Sequence, residues 1–376
     1  MLLAACGLGA VALAAVAALL VLGLTRTGAE DKVVVPSSTA AASTDRARDR
    51  ARRTAVRRST ALRVVGGRLF ARTSFWNKRL SATTALDLNS NALVQALVAE
   101  VQRERTARIG PRIAADSGST PLYRVGPMQP GVRVRLERQD LRGGKALERA
   151  FASVPIPGDA KPASGPDKHM TVWQPSTDTL WEFFRARRST NGWRARWGGA
   201  IRRVSKSSGY YTGAAWPGAT RNWGATASSL PVIGGTMLLD ELKTGRFDHA
   251  LAINLPAPRA SAFAWPAQRT DGTGLPTALP EGARLRLDPA LNLADLNLPR
   301  LTRMIAVAAQ RYGLVVRDQT HHAISLLGED PSRRTGNPYR RYFLGRSSGE
   351  LLANFPWDRL QVLEMHLCTR APCEAS

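Results

Sequence analysis

The clearest helical pattern in the chain is an apolar stripe over residues 89–108, which Gly110 ends together with the proline after it. A second stripe predicts a helix over residues 299–312. Pro299 suits its first turn, and Gly313 stops it.

Most of the remaining chain alternates between short apolar runs and turns rich in Gly and Pro, a pattern typical of short β-strands. The candidate strands cover residues 132–136, 169–174, 179–185, 249–254, 284–287, 314–317, 323–327 and 360–363. Many short strands with few helices favour a mainly β protein, a jelly-roll or β-sandwich with a few peripheral helices.

One stretch, HMTVWQPSTDTLWEFF at 169–184, carries an unusual mixture of residues for a strand pair. If residues 175–178 form the loop, Thr171 pairs with Glu182, and alternation places His169 on the same face as Glu182. Diagonal neighbours of this kind lie roughly 7–8 Å apart at the backbone, within range of a shared proton-transfer site. A solvated outer face with a harmless His–Glu pair is the alternative.

Six of the nine tryptophans fall between residues 170 and 225, among Gly, Tyr and Arg. Aromatic planes stack on sugar rings, and the guanidinium of Arg binds carboxylate or phosphate through two donors. We therefore predict a substrate-binding set in this region, with some tryptophans, Trp181 among them, filling the core instead. The predicted set is Trp173, Trp193, Trp197, Trp216, Trp223 and Arg185.

Two further residues are candidates for catalysis. His249 alternates with apolar Leu251 and Ile253, so a buried histidine with satisfied hydrogen bonds is the alternative to a catalytic one. Asp318 lies where a predicted strand meets a loop. The adjacent histidines at 321–322 lack metal-ligand spacing, and the chain has no GxSxG, P-loop, HExxH or dinucleotide-binding motif, so we expect neither a metal nor a cofactor.

Charge and the N-terminus suggest where the protein works. The chain carries 46 Arg and 7 Lys and a formal net charge of +24, which favours anionic partners even though the Arg excess partly reflects overall composition. Residues 2–24 are uncharged, apolar and long enough to cross a bilayer. We predict a membrane anchor or uncleaved signal at 1–24, a basic flexible stem at 25–68 and a single β-rich extracytoplasmic domain at 69–376. Exposure outside the membrane makes nucleic acid an unlikely partner.

The three cysteines fit neither a disulfide scaffold nor a zinc site. Cys6 lies in the apolar run. Cys368 and Cys373 either close a small disulfide loop in an exported protein or remain free thiols.

Eight motifs along the chain give it a resemblance to known proteins. They are SFWN at 74–77, DKHMTVWQPSTDTLWEF at 167–183, ASSLPVIGG at 227–235, GRFDHAL at 245–251, FAWPA at 263–267, LPEGARLRLDP at 279–289, RYGLVVRD at 311–318 and FPWDRLQVL at 355–363. In these motifs the chain resembles a group of exported bacterial proteins, common in actinobacteria, that have no assigned activity. The resemblance implies a jelly-roll or lectin-like β fold and an extracytoplasmic setting, and it supplies no catalytic residues.

These patterns together predict a cell-surface or secreted protein that acts on polysaccharide or another anionic polymer of the cell envelope. A hydrolase would use Glu182 as acid or nucleophile, with Asp167, Asp248 or Asp318 as the second carboxylate. A lyase would use His169 or His249 as the base, with an arginine neutralising the uronate. The alternative is a non-catalytic module that binds wall glycan or anionic polymer on a flat Trp/Arg surface.

Overall fold

A computed structural model describes residues 68–115, 118–138 and 140–373. They belong to one compact unit that spans Val65–Ser376. The predicted anchor at 1–24 and all of the predicted stem except its last residue lie outside the described residues. Among the helices that are described, none combines the length and apolar character needed to cross a bilayer.

Six α-helices and three short 3-10 helices are present in the described part of the chain. In chain order, the α-helices are α1 Ser90–Thr106, α2 Gly144–Ala150, α3 Leu239–Thr244, α4 Arg300–Arg311, α5 Arg340–Phe343 and α6 Ser348–Leu352, and the 3-10 helices are Val204–Lys206, Pro331–Arg333 and Trp357–Arg359. The two long helices, α1 and α4, confirm the helical stripes seen in the sequence.

The strands are short, and they form four separate sheets. In chain order they are β1 Arg112–Ala114, β2 Leu122–Arg124, β3 Val134–Leu136, β4 Met170–Gln174, β5 Thr179–Phe184, β6 Arg187–Ser189, β7 Gly192–Ala195, β8 Trp197–Arg202, β9 Leu251–Leu255, β10 Phe263–Ala264, β11 Arg284–Leu287, β12 Leu314–Gln319, β13 Ser325–Leu327, β14 Leu360–Val362 and β15 Leu367–Cys368.

The largest sheet has six strands in the order β1-β13-β9-β12-β11-β14, with both parallel and antiparallel pairs. Its central strand β9 is buried along its whole length, and α1 and α4 contribute to the same hydrophobic core. A shift of register interrupts the β9–β12 pairing between Val316 and Asp318. Such a bulge turns side chains away from the regular alternation of the strand.

A four-stranded sheet in the order β2-β4-β5-β8 contains the stretch that stood out in the sequence. Strands β4 and β5 pair antiparallel, with Thr171 opposite Glu182 and Gln174 opposite Thr179, which confirms the predicted hairpin and its four-residue loop. A second hydrophobic core surrounds this sheet and the three-stranded sheet β3-β7-β6.

The predicted fold class was wrong. The described residues form an α/β mixture with several small sheets, none of them closed, rather than a jelly-roll or β-sandwich. The order of the six-stranded sheet explains the error. Its parallel pairs β1–β13 and β9–β12 join segments far apart in sequence, and no local pattern reports such pairing.

The C-terminal cysteines resolve one open alternative. Cys368 and Cys373 are joined by a disulfide bond, so the alternative of two free thiols is wrong. Strand β15, which carries Cys368, pairs with β10.

An irregular stretch that we call the buried connector, residues 224–236, runs through the interior between the four-stranded and six-stranded sheets. Nearly all of its residues are buried although it forms neither helix nor strand. At its far end, the Ala252 N–H donates to the Gly235 carbonyl at 2.7 Å, which ties the connector to β9. Buried backbone outside regular structure must find its hydrogen bonds in nearby side chains, and these side chains define the site described below.

Helix α1 is anchored to the six-stranded sheet by a buried carboxylate. Glu104 is fully buried, its Oε1 accepts the Ile324 N–H at 2.7 Å, and its Oε2 has no hydrogen-bond partner. Burial raises the pKa of Glu104 to about 7. Because the native state then holds its proton to higher pH than the unfolded chain, the stability from this group is present below about pH 4.5 and is lost as pH rises through about 7.

We expect the Glu104→Gln variant to be more stable than the wild type at pH 8, by about 1–3 kcal/mol, and to lose this advantage near pH 4.5. The amide retains an oxygen for the Ile324 N–H and removes the buried charge. Urea unfolding across this pH range measures the difference. A variant that is less stable at pH 8 would contradict the assignment.

Two glycines with positive φ differ in the space that an added Cβ would find, so alanine variants at these positions distinguish backbone strain from steric clash. A Cβ at Gly282 (φ +88°) would lie 1.8 Å from the Ala264 carbonyl oxygen, whereas a Cβ at Gly192 (φ +93°) would have no neighbour within 4 Å. We expect Gly192→Ala to cost about 1–2 kcal/mol of unfolding free energy, the usual cost of a left-handed alanine. Gly282→Ala should cost about 2 kcal/mol more, because backbone must move. Equal losses in chemical denaturation would rule out the clash.

Candidate functional site

A cleft of about 420 Å³ brings together five of the residues predicted from the sequence. It is lined by Asp167, His169, Arg185, Trp197 and Asp318. His169 immediately precedes β4 and Asp318 belongs to β12, so the cleft lies where the two larger sheets approach each other. The first residues of the buried connector, 224–227, form part of its wall.

His169 carries a neutral ring at this site. Its side chain is 96% buried, since only 4% of the residue surface is exposed. Nε2 donates to the Ala225 carbonyl oxygen at 3.2 Å, which fixes the hydrogen on that nitrogen. Burial lowers the pKa of His169 to about 4, with an opposing influence from Asp167 and a further lowering by Arg317. The ring is therefore uncharged at neutral pH.

The second ring nitrogen of His169 is the one that is free to act. The backbone of Ser119 approaches the ring closely enough to influence its pKa, yet Nδ1 has no partner at ordinary hydrogen-bond geometry among the described residues. A neutral imidazole whose Nε2 carries the hydrogen presents a lone pair on Nδ1. That atom is buried, so a ligand in the cleft would reach it only after the residues around it move.

Asp318 is presented to the cleft by the bulge in β12. Its Oδ1 accepts the Ala227 N–H at 3.0 Å. Burial, and next the nearby Asp271 carboxylate, raise the pKa of Asp318 to about 7. The preceding residue, Arg317, points the other way and is buried against the connector, where it donates to the Val232 carbonyl.

Two further carboxylates stand beside Asp318. One oxygen from each of Asp271, Glu281 and Asp318 lies within 4.8 Å of the others. Glu281 is fully buried, and burial followed by repulsion from Asp318 and Asp271 raises its pKa well above the usual range. Asp271 lies on a loop, Glu281 lies just before β11, and Asp318 lies in β12. The three side chains meet only because the chain folds.

Arginine side chains surround the rest of the cleft. Arg112, Arg138, Arg185, Arg196 and Arg269 all contribute to its lining. Arg269 is fixed in place, because Nη2 donates to the Thr226 carbonyl at 2.9 Å and Nε donates to Ser229 Oγ at 2.8 Å. The guanidinium of Arg185 lies 5.2 Å from the centre of the Phe184 ring. The cleft thus has a carboxylate cluster on one side and cationic groups around it.

Glu182 lies close to His169 as the strand alternation predicts, but it does not line the cleft. It is fully buried, and its two carboxylate oxygens accept the Ala225 N–H at 2.7 Å and the Val232 N–H at 2.8 Å. Burial raises the pKa of Glu182 to about 7. His169 and Glu182 therefore hold the two sides of the same Ala225 peptide region, and Glu182 is placed to support the connector rather than to touch a substrate.

The predicted tryptophan set is mostly part of the core. Trp173, Trp193 and Trp223 are at least 95% buried, and Trp216 is half-buried beneath the guanidinium of Arg202 at 4.8 Å. Trp197 borders the cleft while its Nε1 donates to the Asn222 carbonyl. These rings do not form the flat, open platform expected of a glycan-binding surface.

His249 lies apart from this cleft, in a second cavity of about 720 Å³. Its Nε2 is 3.0 Å from Glu241 Oε2, and its Nδ1 is 2.8 Å from the Ala250 carbonyl. Burial alone would lower the pKa of His249. The Glu241 carboxylate and the Ala250 carbonyl favour the charged ring more strongly, so the pKa is raised. Both ring nitrogens therefore have acceptors, which is the buried, satisfied histidine weighed as the alternative.

Sequence reasoning missed Asp271, Glu281, Arg269 and Asn254, all of which belong to this region. Glu281 lies within the LPEGARLRLDP motif, but nothing in its spacing from Asp318 signals that the two carboxylates meet. Asn254 lies opposite Asp318 in the β9–β12 register. The parallel β9–β12 pairing brings Asn254 to Asp318, and the antiparallel β11–β12 pairing brings Glu281 to the same place.

Comparison with known proteins found no matching family model, no matching curated protein and no matching solved structure. The site is therefore interpreted from its own geometry.

We expect Glu182→Gln to destabilise the protein by about 1–3 kcal/mol, because an amide NH₂ would face one of the two backbone N–H groups and leave a buried donor unpaired. Urea unfolding at pH 7 measures the loss. Glu364→Gln, at an exposed glutamate, serves as the matched control and should change stability by less than about 0.5 kcal/mol. If the two variants behave alike, Glu182 does not support the connector.

Proposed function

We propose that this protein is a secreted or membrane-anchored enzyme that cleaves an acidic polysaccharide of the cell envelope by β-elimination in the His169 cleft. The observation that carries the proposal is the presence, in one concave site, of a neutral imidazole with a free ring nitrogen and several arginines. Among the reactions considered from the sequence, elimination next to a uronate carboxylate needs this combination.

The proposed elimination removes a proton from one carbon and breaks the glycosidic bond at the next carbon. Nδ1 of His169 takes the proton from the carbon next to the uronate carboxylate. The electron pair left behind forms a carbon–carbon double bond as the glycosidic oxygen departs, and that oxygen takes a proton from solvent. A general base in hydrogen-bond reach of its proton contributes typically 10²–10⁴-fold to such a reaction.

Arginine supplies the second requirement. Proton removal next to a carboxylate builds negative charge on that carboxylate, and a guanidinium placed against it stabilises the charge. Arg185 and Arg196 line the cleft on the side of the four-stranded sheet. Their planar donors match a carboxylate in two-pronged fashion. The net charge of +24 on the whole chain assists capture of an anionic polymer.

The cellular setting is proposed on separate grounds. Disulfide bonds persist in oxidising compartments, and Cys368–Cys373 is such a bond. The apolar run at 2–24 supplies a membrane link or export signal in the sequence. A polymer of the envelope would be within reach of a protein in that position.

The hydrolase based on Glu182 has lost its geometric support, because Glu182 does not line the cleft and both of its carboxylate oxygens accept backbone N–H groups. A non-catalytic binding module remains the second candidate, since the arginines around the cleft would bind an anionic polymer without cleaving it. The two candidates differ in product formation alone.

We expect wild-type protein to release unsaturated oligosaccharides from an acidic envelope polymer, and His169→Gln to lower kcat/KM by about 100-fold or more. The glutamine amide takes the position of Nε2 and still donates to Ala225, but it offers no ring lone pair. Ultraviolet absorbance of the unsaturated product gives the rate. His249→Gln, in the second cavity, is the control and should retain wild-type turnover.

Three results would count against the proposal. Full activity in a folded His169→Gln protein would remove the base. New reducing ends without unsaturation would indicate hydrolysis. Polymer retained in a pull-down, with no product of either kind, would favour the binding module.

A further inference from the structure

The carboxylate cluster holds two oxygens that the protein itself leaves unsatisfied. Glu281 is fully buried, and among the described residues neither Oε1 nor Oε2 has a hydrogen-bond partner at ordinary geometry. The Thr270 side chain and the Asp271 backbone lie close enough to lower its pKa, but at looser geometry than an ordinary hydrogen bond. A buried carboxylate without donors is costly, so a group that is absent from the protein chain is expected beside it.

An amide oxygen supplies a second, independent sign of a missing ligand. Asn254 is 93% buried, since 7% of its surface is exposed, and its Oδ1 has no hydrogen-bond partner in the part of the chain that the structure describes. It lines the same cleft as Asp318 and lies directly opposite Asp318 in the parallel β9–β12 pairing. Carboxylate and amide oxygens are the ligands that hard divalent cations prefer in proteins.

We propose that Asp271, Glu281 and Asp318, together with the amide oxygen of Asn254, bind one divalent cation, and that the site prefers Ca²⁺ to Mg²⁺. The inference goes beyond the proposed reaction, because the cation would bind whether or not any polymer is cleaved.

The number of protein oxygens favours the larger ion. Ca²⁺ takes about six to eight oxygen ligands in flexible geometry, whereas Mg²⁺ usually keeps several waters and binds only one or two protein carboxylates. One oxygen from each of the three carboxylates lies within 4.8 Å of the others, so a single cation can lie between them. Asp271 is exposed, which leaves a path for the ion and for water ligands from solvent.

Arg269 is a competing positive charge beside the cluster, and Arg317 also interacts electrostatically with Asp318. The guanidinium of Arg269 interacts with all three carboxylates over a distance, but its hydrogen bonds go to Ser229 Oγ and the Thr226 carbonyl. Among the described residues Arg269 makes no ion pair within 4 Å. The arginine therefore moderates the repulsion within the cluster and leaves the carboxylate oxygens open to a metal.

The test is a calcium titration of the full-length chain after removal of metal with a chelator. Isothermal calorimetry should show one saturable site for Ca²⁺ and weaker binding of Mg²⁺. The melting temperature should rise by about 4 °C when free Ca²⁺ reaches 100 times its Kd. Glu281→Gln and Asp271→Asn should each weaken binding by at least about tenfold, whereas Asp159→Asn, at an exposed carboxylate outside the cluster, should leave it unchanged.

The Glu281→Gln variant also separates a metal site from a merely strained one. Without metal, it should melt at or above the temperature of metal-free wild type, because it removes one of three crowded charges. If Glu281→Gln fails to fold, the exposed Asp271→Asn variant gives the same comparison. Absence of saturable Ca²⁺ binding, equal binding by wild type and both cluster variants, or tighter binding of Mg²⁺ than of Ca²⁺ would each overturn the proposal. None of these readouts requires a polysaccharide.

Discussion

The arrangement of this protein depends on how the buried connector satisfies its backbone. A stretch of irregular chain in the interior has no water and no neighbouring strand to bond along its length. Glu182 from the four-stranded sheet accepts two of its N–H groups, and Arg317 from the six-stranded sheet donates to its carbonyls. An anion and a cation buried on opposite sides of one segment thus link two sheets that share no strand. The same segment forms a wall of the cleft, so the shape of the cleft is set by these bonds.

This constraint explains which part of the sequence reasoning was right and which part was not. The β4–β5 hairpin is local: its loop length fixes the register, and the register fixes which side chains share a face. His169 and Glu182 therefore emerge together, as alternation requires. Alternation says nothing about what faces them. The buried connector, more than forty residues downstream, occupies that side. Its N–H groups donate to both carboxylate oxygens of Glu182, whereas Nδ1 of His169 has no hydrogen-bond partner among the described residues.

The carboxylate cluster was beyond reach for a related reason. Asp318 was identified because a strand ends near it. Asn254 joins it through the parallel β9–β12 pair, which requires a long crossover, and Glu281 joins it beside the antiparallel β11–β12 pair, whose strands are separated by a helix. The short strands suggested a β-sandwich because their number is visible in the sequence and their partners are not. The helices were predictable, since an apolar stripe is read from one segment alone. The residues that fold locally were found, and those assembled by remote pairing were missed.

The two kinds of charge in the cleft bear on how it would treat an acidic ligand. Arg185 and Arg196 attract a carboxylate, whereas Asp271, Glu281 and Asp318 repel it across a site of only about 420 Å³. Protonation of the cluster removes part of that repulsion but adds no positive charge. A bound divalent cation offsets two of the three negative charges, and its remaining coordination positions would accept a ligand carboxylate directly. Cation binding and acidic-polymer binding would consequently strengthen each other, and thermodynamic reciprocity requires the same coupling energy in both directions.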